Sequence, residues 1–227
     1  ICHIETIEKE NAENIVFIGI GDETKIEGFN FQYFGGLLVP FLENLQYDKI
    51  SIYVGDLKKV KLSYENMILH LASGIHLKSY SFKKYKKKKE KDDNKTLPNI
   101  DFITSNPIKF KKLFSNFKAV SEGVFFARDL LHEPPNVLNP VNLASRAKEL
   151  SKLNVKVNIL DEKSMKKLGM EALLGVGMGS ANPSRLITLE WNGNPNSKSP
   201  PLGLVGKGVT FDTGGYSLKT ANGMEEM

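Results

Sequence analysis

Cysteine, histidine and tryptophan are scarce in this chain, and long hydrophobic runs are missing. Its single cysteine, Cys2, excludes an internal disulfide and fits a reducing compartment. Four scattered histidines leave no Cys/His zinc cluster. No stretch reaches the roughly 18 apolar residues that a membrane-spanning helix needs, so no membrane span is expected. No secretory leader pattern opens the sequence. Ile1 in place of a first methionine reads as a trimmed or processed start.

What is present describes an ordinary globular protein. The chain has 227 residues, enough for one large or two modest domains. It is 41% apolar and 25% charged, which supports a sizeable core. The net charge of +5 is local in origin. Residues 83–91 hold seven lysines and Glu90, and without that block the chain sums to −1. One reading of the block is a solvated loop. Another is contact with nucleic acid or an anionic surface. Phe82 and Tyr85 beside it are too few for a stacking platform.

Strand and helix patterns alternate. Residues 14–20 and 49–55 read as strands, the second with Ile50, Ile52 and Val54 on alternate positions. Between them, Phe34-Gly-Gly reads as a glycine turn leading into a helix. A helix is predicted over 64–77, then a break through the lysine block to Pro98. Asp101-Phe-Ile-Thr is a short strand. Asn106-Pro107 opens a long helix to Leu131, with Phe110, Leu113, Phe114 and Phe117 near helical spacing. Glu133-Pro-Pro-Asn ends it, since proline cannot continue a helix. Helices follow over 142–153 and from Ser164 to Met170, and strands over 155–160 and 185–191. Pro201-Leu-Gly-Leu-Val reads as a buried strand. The pattern predicts an α/β fold with a mostly parallel sheet. It divides into an amino-terminal α/β domain (1–105), a connecting helix (106–131) and the first part of a second α/β domain (132–227).

Gly206-Lys-Gly-Val-Thr-Phe-Asp-Thr-Gly-Gly-Tyr-Ser-Leu-Lys219 follows that last apolar run. Ligands in open parallel sheets sit beyond the carboxyl ends of strands, which is where this segment falls. It sets Lys207, Asp212 and Lys219 among glycines that permit sharp turns and close approach. The spacing fails a phosphate-binding loop, because Gly203 is three residues before Gly206 and Gly208 follows Lys207. Lys207 and Asp212 could bind a hard divalent ion, the lysine as a neutral amine. They could equally be an ion pair that stiffens a glycine-rich turn. Elsewhere, His132 with Glu133 marks a helix end, with no second histidine at a zinc-binding interval. His70 and His76 are packed or solvated helix residues. Met165, Met170 and Met178 fill core gaps. Trp191 ends a strand in a packing or subunit contact.

Gly206 to Lys219 closely resembles the signature of the leucine aminopeptidase family. Residues 127–140, Leu168-Gly-Met, residues 175–180 and residues 183–190 resemble the family's neighbouring elements, in order. Tyr80 to Tyr85 resembles a weaker amino-terminal pattern. The likeness is dense from about residue 123 onward and looser before it.

The resemblance implies that Lys207 and Asp212 are metal ligands and that Lys219 is catalytic and touches substrate. It implies that Met227 lines the substrate side-chain pocket. It implies two divalent ions, zinc with an exchangeable manganese, magnesium or cobalt position, which hold a water and lower its pKa. Lys219, kept cationic, would then stabilise the developing oxyanion. The implied substrates are peptides with an apolar first residue, the implied assembly a homohexamer and the implied location cytoplasmic. The family pattern continues with an aspartate ligand after the methionine, then an aspartate, a metal-bridging glutamate and an arginine that holds bicarbonate. None of these lies within the 227 residues, so this stretch alone is expected to be inactive. A non-catalytic assembly or nucleic-acid-binding module using the lysine block is the alternative.

Overall fold

A computed structural model of the chain describes residues 4–9, 12–45, 47–87 and 96–224. It divides into two units, Ile1–Arg128 and Asp129–Met227.

The first unit opens with an antiparallel hairpin, β1 (Ile4–Lys9) and β2 (Ala12–Ile18), with Ile4 opposite Ile18. Two helices, α1 (Gly28–Leu42) and α2 (Tyr64–Lys78), make its centre. Ser63 begins α2 by accepting the backbone N–H of Asn66 at 3.3 Å. Phe31, Leu38, Val39 and Leu42 of α1 are buried with Met67, Ile68, Leu71 and Ile75 of α2. β3 (Lys49–Ile52) runs parallel to β4 (Asn99–Phe102), with Lys49 opposite Asn99. Helix α3 (Pro107–Leu131) starts where the Asn106 side chain accepts the Lys109 N–H at 3.0 Å. Its phenylalanine stripe is used: Phe110 meets Phe102 of β4, and Phe117 meets His70 of α2. His76 of α2 is held between Phe114 and Phe125.

The second unit begins with α4 (Pro140–Lys148). Asn139 caps it, accepting from Val141 N and Asn142 N, both at 3.0 Å, and Pro140 stands in the first turn, where no partner for its nitrogen is needed. A 3-10 turn, Glu149–Leu153, ends at Asn154 in the left-handed region. β5 (Lys156–Leu160) pairs antiparallel with β6 (Leu186–Glu190). Between them lie α5 (Glu162–Lys167), capped by Asp161, and α6 (Glu171–Gly177). A short α7 (Ala221–Met224) follows the glycine-rich segment. Met165 is fully buried, with Ala144 and Ala147 also in this unit's interior.

Five expectations are corrected. Met178 fills no core gap, because it is 85% exposed. Phe34-Gly-Gly is not a turn, because Gly35 and Gly36 lie inside α1. A Cβ at Gly35 would collide with the Leu71 carbonyl of α2, so its glycine serves helix contact rather than chain reversal. The helix predicted from Ser164 to Met170 breaks at Gly169, whose φ of +71° ends α5 before α6 begins. The sheet is not mostly parallel: the described strands form three separate pairs, of which β3–β4 alone is parallel. Finally, residues 201–205 form no strand, and Leu202, Leu204 and Val205 are exposed. Pro200 and Pro201 supply no ladder donors, and no described strand lies alongside to pair with the rest.

Candidate functional site

Asp212 and Lys219 are seven positions apart, and a tight loop brings them together. Gly214 and Gly215 both sit at positive φ, +87° and +66°, which reverses the chain after Thr213. The Lys219 N–H donates to the Thr213 carbonyl at 2.9 Å and closes the loop. The Lys219 ammonium then reaches Asp212 Oδ2 at 3.1 Å. The other carboxylate oxygen, Oδ1, accepts the Gly214 N–H at 2.9 Å. The Gly215 N–H donates to Thr213 Oγ1 at 3.3 Å.

These contacts hold Asp212 below the ordinary carboxylate range. The Gly214 N–H is the largest cause, followed by the hydrogen bond and charge of Lys219, and Lys207 adds the smallest favourable contribution. Asp212 is therefore an anion at neutral pH, and it remains open to solvent. Lys219 is the better sheltered of the pair.

Lys207 stands at the head of the segment, its carbonyl accepting the Val209 N–H at 3.0 Å. It bears on Asp212 through charge and not through a hydrogen bond. Met227 lies outside the described residues, as do Cys2 and positions 88–91 of the lysine block. Within the described part of that block, Lys84 lies over the Tyr85 ring at 5.4 Å.

A carboxylate and an amine fit two places in the donor set of a divalent ion. They do not complete one. Among the described residues, no group of three or more His, Cys, Asp or Glu is placed to hold a metal. A groove of about 480 Å³ in the first unit, lined by Phe29, Tyr33, Leu37 and Lys78 among others, contains none of these site residues.

The sequence reading named Asp212 and Lys219 but not the Gly214 N–H that anchors the carboxylate. The local signal was Asp-x-Gly, in which an aspartate side chain accepts the backbone N–H two residues on.

The profile described as "Cytosol aminopeptidase family, catalytic domain" matches residues 125–227, and that for the same family's N-terminal domain matches residues 1–89. The chain belongs to the cytosol aminopeptidase family. A family member from Agrobacterium fabrum, named "Probable cytosol aminopeptidase", is 44% identical over 219 residues. One from Sinorhizobium fredii with the same name is 42% identical over 219 residues. Each match covers 95% or more of this chain but 43% of the relative, so the chain spans less than half the length of these cytosol aminopeptidase relatives. In fold, it resembles the bottromycin maturation enzyme BotP, solved in complex with Mn, with a TM-score of 0.77 at 23% identity. That alignment covers 97% of this chain and 45% of BotP. A tomato leucine aminopeptidase variant aligns with a TM-score of 0.70 at 22% identity, over 82% of this chain and 37% of that one. The dense part of the sequence resemblance and the catalytic-domain match begin within two residues of each other.

Proposed function

We propose that this chain supplies the amino-terminal domain and the first metal ligands of a metal-dependent leucyl aminopeptidase. Such an enzyme would hydrolyse the first peptide bond of its substrates. Family membership supports the reaction class, and the Asp212–Lys219 pair on its glycine loop supports the site.

In this reading Lys207 and Asp212 hold divalent ions, zinc with manganese, magnesium or cobalt as alternatives. Bound ions of this kind lower the pKa of water and polarise a carbonyl. Asp212 enters the site already ionised and already oriented by the Gly214 N–H. Lys219 brings a fixed positive charge to the place where the carbonyl oxygen becomes an oxyanion. Charge that is oriented beforehand stabilises a transition state without reorganising during the reaction. Met227 lines the pocket for an apolar first side chain. The remaining metal donors and the bicarbonate-holding arginine come from outside these 227 residues. A cytoplasmic homohexamer, and a domain division at 105 and 131, belong to the same proposal.

The deciding experiment compares this chain with one extended through the rest of the catalytic domain. Both are assayed on a leucyl amide, with and without manganese. The proposal expects only the extended chain to cleave, and Lys219→Ala to silence it. Turnover by the 227-residue chain would disprove the missing-ligand account. Failure of both would leave the assembly module as the better reading.

A further inference from the structure

The loop geometry points to Thr213 as a positioning residue for Lys219, acting together with Gly214; this inference rests on the aminopeptidase reading. Thr213 is used twice. Its carbonyl accepts the Lys219 N–H at 2.9 Å, and its hydroxyl accepts the Gly215 N–H at 3.3 Å. The first contact places the Lys219 backbone. The second holds the left-handed step at Gly215 that turns the chain back toward Asp212.

Gly214 completes the device from the other side. Its N–H fixes Asp212 Oδ1. A Cβ on it would run into the Ser217 carbonyl and lie 3.0 Å from Lys219 Cγ. The space that glycine leaves open is therefore filled by the returning strand of the loop. Gly215 has a similar φ but meets nothing within 4 Å. The two adjacent glycines thus differ in role: Gly215 serves conformation alone, whereas Gly214 also lets Lys219 approach. The contacts of Thr213 and Gly214 run to Lys219, Asp212 and Gly215 within the loop. Each acts by setting where the ammonium of Lys219 stands relative to the Asp212 carboxylate.

The test uses the extended, metal-loaded enzyme and pairs Thr213→Val with Thr213→Ser. Valine keeps the branched shape and removes the acceptor, and serine restores it. Because Lys219 acts in the transition state, Thr213→Val should lower kcat roughly tenfold with KM nearly unchanged. Thr213→Ser should recover to within about twofold of the parent. Gly214→Ala should lose more than Gly215→Ala, which reports left-handed strain without collision. Crystal structures of the parent, Thr213→Val and Thr213→Ser give a second readout. The 3.1 Å Asp212–Lys219 contact should persist with serine and lengthen with valine. If Thr213→Val keeps both kcat and that contact, the inference is overturned. It is equally overturned if Thr213→Ser falls as far as Thr213→Val. A parent enzyme with no activity would sink the aminopeptidase reading instead, and the crystallographic distances would still decide the positioning role.

Discussion

Gly74 of α2 lies directly against the Gln32 carbonyl of α1, in space that a methyl group would need. With Gly35 set against the Leu71 carbonyl, it lets the two helices of the first unit pack backbone to backbone. Gly123 of α3 is the contrast, since a Cβ there meets nothing within 4 Å. Gly74→Ala should therefore destabilise by about 2 kcal/mol or more, because the obstacle is backbone and cannot swing aside. Gly123→Ala should stabilise by about 0.5–1 kcal/mol through helix propensity alone. Urea unfolding of the two variants beside the parent measures both signs.

The His76 ring sits between Phe114 and Phe125, and its Nε2 is buried with no hydrogen-bond partner. Burial is the main cause that pushes its pKa below 6.5; Lys118 lowers it further and Glu122 opposes. The folded state therefore takes up its proton at lower pH than the unfolded chain does. Its contribution is complete above the unfolded value and is lost as pH falls from about 6.5 toward the lowered folded one. Unfolding midpoints should drop across that window. His76→Phe should flatten the dependence, and an unchanged slope in that variant would assign it to other groups.

Ile68 in the first unit and Met165 in the second are both 0% exposed. Truncation of either to alanine should cost about 2–5 kcal/mol, the range for large buried side chains that leave a cavity. Since the residues sit in different units, their effects should be close to additive. Thermal unfolding of the single and double variants checks this.

On the proposed function, chelation should abolish leucyl amide hydrolysis by the extended enzyme, and manganese should restore it. Asp212→Asn should weaken manganese binding by about tenfold or more in calorimetry, because the neutral amide loses the charge of a ligand. Lys219→Ala should leave that affinity close to the parent's and lower kcat by roughly 100- to 1,000-fold. A variant pattern with these two effects exchanged would reverse the assigned roles.

The candidate site was legible before the fold because its information is local. Lys207, Asp212 and Lys219 fall within 13 residues, and the glycines that bend the loop lie among them. The contact between Asp212 and Lys219 is built from the Gly214–Gly215 reversal and the hydrogen bonds of Thr213 and Gly214, all within the same loop. The phenylalanine spacing of α3 and the strand patterns of β3 and β5 were legible for the same reason.

Strand direction and burial were not, because they depend on partners far along the chain. β5 meets β6 across a 25-residue separation, and nothing within either strand specifies an antiparallel neighbour. The apolar run at 201–205 has the composition of a buried strand, yet it is exposed where no described strand pairs with it. Phe34-Gly-Gly has the composition of a turn, and only α2 packing against it makes it helix. By itself, then, the sequence determined the family, the secondary-structure signals and which residues are candidates for the site, since each rests on chemistry within a few positions. Tertiary structure alone decided which glycines are contacts, which strands pair and which imidazole is buried, since those depend on surfaces brought together by folding.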